Sequence, residues 1–235
     1  MYIYSIAYAA PQLLRICHEM PEVISKVKTW TTLSSWFLAK WTNSSNVPIS
    51  YSEASWTGLL NVRNLSWDDA IMSYLPQIDK KTLPPLCDID DAVIGSLSQE
   101  MRHKWPDLKE TKIMLAIGDG AAANLGSGCF NYRNVALTIG TTAAVRVVVS
   151  EKELQGKRIP KGLWAYRIDK TRVLIGGALT NGGSVYQNFC RMHSIDGGSN
   201  ETITKLAAIA PNAHGLTILP FLDGERAPGN VLCFL

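Results

Sequence analysis

One carboxylate stands out by its neighbours. Asp119 sits between Gly118 and Gly120, directly after the apolar run Ile113-Met114-Leu115-Ala116-Ile117. An acid at the carboxyl end of a buried strand points into the crevice where open α/β sheets bind ligands, and flanking glycines allow close approach. The same residue also fits a plain cap for the Ala-rich helix over 121–125, since Asp is a favoured cap; the pattern leaves both readings open. A second candidate is Gly140-Thr141-Thr142, a tight turn between two strands whose N–H groups and hydroxyls suit phosphate oxygens. A simple hairpin turn has the same signature. The third is Asn181-Gly182-Gly183-Ser184, ahead of a helix whose N-terminal amides and dipole attract anions. An ordinary capped helix start reads alike, and the segment is neither a dinucleotide fingerprint nor a Walker loop. The fourth is Gly224-Glu225-Arg226-Ala227-Pro228, with a salt-bridged loop as its plainer reading.

Other chemistries lack their residues. His18, His103, His193 and His214 show no metal spacing, and no metal site is expected. Cys17, Cys87, Cys129, Cys190 and Cys233 form no Cys-x-x-Cys pair, which argues against a zinc site or a disulfide framework. No Gly-x-Ser-x-Gly elbow marks a serine hydrolase.

The elements that must position these residues fall into two textures. Over 11–27 the apolar Leu13, Leu14, Cys17 and Met20 recur at helical spacing, with Pro21 as a break. A second helix is expected over 31–41, its stripe of Leu33, Trp36, Phe37 and Trp41 facing the core. Trp30, Trp36, Trp41 and Trp56 are read as core, since no basic stripe interleaves them. Residues 42–46 read as a polar turn. Ser66 is the expected N-cap of a short helix, with Asp68 and Asp69 suiting its dipole. Leu83-Pro84-Pro85-Leu86 forces an extended linker. The run 113–117 is expected as a strand buried on both faces. Beyond it come strands over 134–139, 143–149, 163–168 and 172–175, a polar turn over 151–157, and a helix over 183–189. A last strand is expected over 216–219. The reading is two α/β units meeting near residue 130.

Composition sets the outer bounds. With 235 residues, 46% hydrophobic and 18% charged, the chain has the material for a sizeable core. A net charge of +3 gives no electrostatic reason to expect a nucleic-acid partner. No apolar run approaches the roughly 18 residues of a membrane span, and the apolar start at Met1 has no basic flank of a signal peptide. A cytoplasmic enzyme in a reducing compartment is expected.

Taken in order, several segments resemble the FGGY carbohydrate kinases. They are the run from Tyr51 to Leu60 with Trp67-Asp68, then Leu83-Pro84, then Gly118-Asp119-Gly120-Ala121-Ala122-Ala123-Asn124-Leu125-Gly126. Ile139-Gly140-Thr141-Thr142, Gly182-Gly183-Ser184 and the run from Leu219 to Pro228 complete the series. Asn124-Leu125-Gly126 and the run from Ser55 to Leu60 are most similar to gluconokinase-like members. The resemblance implies an actin-like, ribonuclease-H-like α/β fold of two domains across a cleft. Residues 1–128 would then be the later part of the sugar-binding domain, and 129–235 the opening of the nucleotide-binding domain. It implies transfer of the γ-phosphoryl group of ATP, with Mg2+, to a hydroxyl of a sugar or sugar acid. Asp119 would be the base at that hydroxyl. Gly140, Thr141, Thr142, Gly182 and Gly183 would lie against the nucleotide.

The match also has gaps. By the same resemblance, a Gly-x-Asp-x-Gly-Thr phosphate loop would precede Met1, and an adenine-binding Gly-rich segment would follow Asn230. The expectation is a fold incomplete in both domains, with little or no kinase activity from this chain alone. The alternative is a non-catalytic relic that binds a sugar or a protein partner.

Overall fold

The computed structural model describes residues 8–91, 95–210, 213, 215–217, 219, 221 and 224. The chain begins with α1 (Ala9–Glu19), which buries Ala10, Leu13 and Cys17, three residues at helical spacing. Pro21 cannot continue that helix but suits the first position of the next, and α2 (Pro21–Ile24) starts there. Against α1 pack Leu59, Met72, Leu75, Ile78 and Leu83, with Trp30 and Trp67 half-buried at the margin.

In α3 (Leu33–Thr42) the structure corrects the expected core face. The buried residues are Ser35 and Leu38, whereas Leu33, Trp36, Phe37 and Trp41 are exposed. The small Ser35 decides this. Its hydroxyl donates to the Pro48 carbonyl at 3.0 Å, so the helix approaches the chain on its serine side. The aromatic stripe packs mainly on itself, with Trp36–Phe37 and Phe37–Trp41 ring centroids 5.1 and 5.7 Å apart. Trp56 is likewise exposed rather than core.

Four short strands and three helices follow. β1 (Ile49–Ser50) leads into α4 (Tyr51–Trp56), capped by the Ser50 hydroxyl, which accepts from the Glu53 amide. β2 (Leu60–Asn61) and β3 (Ser66–Trp67) form an antiparallel hairpin. Ser66 is therefore a strand residue, and Asp68 takes the expected capping role for α5 (Asp69–Met72). The carboxylate has the acceptors for it: Oδ1 takes the Ala70 and Ile71 amides while Oδ2 takes the Asn61 amide group. The Leu83–Pro85 linker is extended, as expected, and enters β4 (Leu86–Cys87), parallel to β1. The short α6 (Gln99–Lys104) comes next.

The run 113–117 is a further correction. It is extended, with one bridged residue at Met114, and it alternates: Met114 is 43% exposed and Leu115 buried against Leu38 and Val47. Only one of its faces meets the core formed by the described residues. The segment is fastened to the capped start of α4, since Ser50 Oγ donates to the Ala116 carbonyl and Ser52 Oγ accepts from the Gly118 amide. α7 (Asp119–Gly126) follows immediately.

The second half is a four-stranded antiparallel sheet. β5 (Val135–Ile139), β6 (Ala143–Ser150), β7 (Trp164–Arg167) and β8 (Arg172–Leu179) stand in the order β5-β6-β8-β7. The long β6–β8 ladder runs from Ala143↔Leu179 to Ser150↔Arg172. The polar segment after β6 is a one-turn helix, α8 (Glu151–Leu154), closed by a reciprocal capping box between Ser150 and Glu153. The sheet packs Val148, Tyr166, Ile168 and Leu174 against Ala121 of α7. Then come α9 (Gly183–Met192) and α10 (Asn200–Ala207). Leu216, Thr217 and Leu219 are not in a strand, and Ile218 lies outside the described residues.

The two halves meet at the β7–β8 hairpin. Arg167 is only 2% exposed, and its guanidinium donates to the carbonyls of Val62 and Lys170 and to the Glu151 carboxylate. Its amide donates to Ser55 Oγ. At the hairpin tip the buried Asp169 collects the amides of Thr171 and Arg172, the Thr171 hydroxyl and Arg172 Nε. Burial alone would raise the Asp169 carboxyl. The bonds from Thr171 and Arg172 together outweigh it and hold the group below the usual carboxylate range.

Candidate active site

Asp119 is the first residue of α7, with Gly118 as its N-cap. The side chain is exposed, and Oδ1 accepts the amide of Gly120 at 2.6 Å. Oδ2 has no partner among the described residues. Asp119 is thus not the cap residue, and one carboxylate oxygen faces outward.

Both flanking glycines are required by close packing. A Cβ on Gly118 would lie 2.5 Å from Trp56 Nε1, and one on Gly120 would lie 2.6 Å from the Tyr166 hydroxyl. Arg146 Nε is 3.4 Å from that second position. The two aromatic rings belong to different halves of the chain, α4 and β7, and their centroids are 4.6 Å apart. Trp164 also stacks on Tyr166 at 5.5 Å, and it can lie there because its cross-strand partner is Gly176. Tyr166 is 4% exposed, and its hydroxyl proton has no acceptor among the described residues. Burial first, and then the charge of Asp119, push its titration well above the ordinary tyrosine value. Arg146 and the Ala121 amide pull weakly the other way.

The second and third candidates are one structural unit. The turn 140–142 closes the β5–β6 hairpin, with the Gly140 amide donating to the Thr142 carbonyl. The start of α9 docks on it from behind. The Gly182 and Ser184 amides donate to the Thr141 carbonyl, and the Gly183 amide to that of Gly140. A Cβ on Gly182 would fall 2.6 Å from the Thr142 backbone, and one on Gly183 would fall 2.9 Å from Gly140 O. The α9 amides at 182–184 therefore brace the turn. The amides and hydroxyls of Thr141 and Thr142 have no partner among the described residues and face outward. Those donors fit phosphate oxygens. Asn181 is buried, bonded through Nδ2 to the Gly224 carbonyl, while its Oδ1 and the Ser184 hydroxyl are unpartnered. Of the fourth candidate only Gly224 is described; Glu225, Arg226, Ala227 and Pro228 lie outside the described residues.

Strand β6 links the two turns. It leaves Thr142 and carries Arg146, which reaches Gly120 and also donates to Thr138 Oγ1 on β5. Sequence reasoning missed Tyr166 and Arg146 and took Trp56 for packing. The one available signal was the strand register, which puts Tyr166 on the same face as Trp164. Among the described residues no cluster of His, Cys, Asp or Glu has the makings of a metal cage, and no helix is long and apolar enough to cross a membrane.

Residues 2–126 match the N-terminal domain of the FGGY family of carbohydrate kinases, and the chain belongs to that family. It is 27% identical to a gluconokinase of Bacillus licheniformis over 91% of this chain and 42% of that protein. It is 26% identical to a xylulose kinase of Lactococcus lactis, over 94% of this chain and 43% of that one. The crystal structure of a ligand-bound xylulose kinase from Lactobacillus acidophilus superposes with a TM-score of 0.77 and 28% identity, covering 94% of this chain and 44% of that chain. A kinase structure from Brucella ovis, 17% identical, gives a TM-score of 0.78 and so the same fold. The fold is of the actin and ribonuclease-H-like α/β class typical of these kinases. The chain spans less than half the length of the relatives it matches.

Proposed function

We propose that this chain carries the base and the phosphate-holding turn of an ATP-dependent kinase acting on a sugar or sugar acid. The carrying observation is Asp119. It is an exposed carboxylate with one unpartnered oxygen, held between two close-packed glycines and joined by β6 to a turn with outward-facing donors. In this reading residues 1–128 belong to the sugar-binding domain and 129–235 to the nucleotide-binding domain. The family match ending at residue 126 supports that boundary. A small molecule, with ATP, is the partner. The unpaired Cys17, Cys87, Cys129 and Cys190 suit a reducing, cytoplasmic setting.

Phosphoryl transfer asks for positioning and charge stabilisation more than for covalent help. Asp119 Oδ2 accepts the proton of the attacking hydroxyl; before substrate arrives the Gly120 amide holds Oδ1. Thr141 and Thr142 offer amides and hydroxyls to the phosphate oxygens of ATP, and Gly140, Gly182 and Gly183 hold that turn in place. Mg2+ would arrive with ATP and neutralise phosphate charge; the protein groups here supply hydrogen bonds rather than a cage.

The test is ATP consumption by the chain extended to the full length of its relatives, with gluconate, xylulose, ribulose and glycerol, and with Asp119→Asn beside it. Turnover that disappears in Asp119→Asn supports the proposal. The second reading is a binding protein without turnover. Sugar binding by calorimetry, with no ATP consumption from the folded protein, would favour that reading.

A further inference from the structure

The Tyr166 hydroxyl is a polar atom out of place. It is buried, its proton has no acceptor among the described residues, and it presses against the residue whose amide holds Asp119. A buried donor without an acceptor is destabilising, so its presence calls for a reason. Phenylalanine in the same aromatic stack would avoid that penalty. The charged groups acting on the hydroxyl are Asp119 from α7 and Arg146 from β6. Trp56 and Trp164, stacked on the ring, carry no charge.

We propose that Tyr166 is a positioning residue for Asp119, its hydroxyl donating a hydrogen bond to the carboxylate when that side chain turns from the Gly120 amide toward substrate. The inference rests on the reading of Asp119 as the base. In the described geometry Oδ1 is held by the Gly120 amide. As the carboxylate rotates to meet a hydroxyl group, that bond is lost, and Tyr166 stands on the other side of Gly120 with a proton to give. The ring is held by its contacts with Trp56 and Trp164. The donor therefore sets where the carboxylate stops. The arrangement also ties the base to the junction, since Tyr166 is adjacent to Arg167.

Two measurements test this. In the first, 3,5-difluorotyrosine at position 166 brings the phenol titration into a range where the fold persists, and Asp119→Asn is introduced beside it. The midpoint is expected to fall by about one pH unit when the carboxylate charge is removed. An unmoved midpoint overturns the proposal. This reading needs no turnover, so it stands apart from the kinase assignment. In the second, Tyr166→Phe is expected to lower kcat about tenfold or more with KM within about twofold. The Asp119→Asn, Tyr166→Phe double variant is expected to match Asp119→Asn alone. Losses that simply multiply would mean that Tyr166 acts structurally and not through Asp119, which overturns the proposal. If the full-length wild-type protein shows no turnover, the kinase reading fails and the fluorotyrosine midpoint still decides the coupling.

Discussion

Two glycine turns carry the candidate chemistry, and they are built in opposite ways. Around Asp119 the glycines are crowded by side chains, Trp56 on one side and Tyr166 on the other. Around Thr141 they are crowded by backbone, the start of α9 lying flat on the 140–142 turn. A turn crowded by side-chain tips leaves the neighbouring carboxylate free to turn about its own bonds, which suits a base. A turn clamped by backbone cannot yield, which suits donors that must meet phosphate oxygens in a fixed geometry. The glycines thus do unlike work despite their similar sequence surroundings.

The strongest way to test this contrast is at the base itself. Asp119→Asn keeps the shape and removes the proton acceptor, and turnover in the ATP assay is expected to drop about 10²–10⁴-fold with the fold intact by circular dichroism. Next in size is Gly182→Ala, whose Cβ would meet backbone atoms of Thr142 that cannot move aside. Urea unfolding should show a loss of about 3 kcal/mol, or no folded protein. Gly120→Ala meets only a hydroxyl, and a loss of about 2 kcal/mol is expected. That loss should shrink below about 1 kcal/mol in a Tyr166→Phe background, where the clashing oxygen is gone. An equal loss in both backgrounds would break the distinction between the turns. The smallest effect is at Gly140, where an added Cβ meets nothing nearer than 3.9 Å. Gly140→Ala should leave stability within about 0.5 kcal/mol of wild type.

A pH experiment locates the junction relative to both turns. Asp169 has a lowered carboxyl pKa in the fold, so the stability it contributes is fully present above its unfolded value, about 3.9. That contribution is lost as pH falls below this through the folded value. Unfolding followed from pH 7 to pH 2 should show this acid loss in wild type, and Asp169→Asn should flatten it.

Much of this was legible in the sequence, for identifiable reasons. The antiparallel strands were read correctly because β-branched runs such as Val145–Val149 and the glycines between them signal sheet locally. α9 was legible for the same reason, Gly182-Gly183 marking its start. The α3 face was not legible, because pattern ranks tryptophan and phenylalanine above serine while the real contact is a hydroxyl on the Pro48 carbonyl. Ser66 was mistaken for a cap because the hairpin that claims it depends on pairing with Leu60–Asn61. At the site, Asp119 and the Thr141–Thr142 turn announced themselves through their glycines. Tyr166 and Arg146 did not, because they reach Gly120 only once β6 and β7 are paired across β8.

The Arg167 staple has a consequence for how the molecule is made. Its amide reaches Ser55 across 112 residues of chain, and its guanidinium reaches Val62 across 105. Loops of that length must be closed before the buried arginine gains its partners, and closing them is slow compared with helix capping or hairpin formation. The order of assembly follows from this: local helices and the four-stranded sheet first, their union last. The ring contact of Trp56 with Tyr166 belongs to that last event, so the surroundings of the base are completed only when the chain has finished folding. In stopped-flow refolding, the far-ultraviolet signal should precede the change in Trp56 fluorescence.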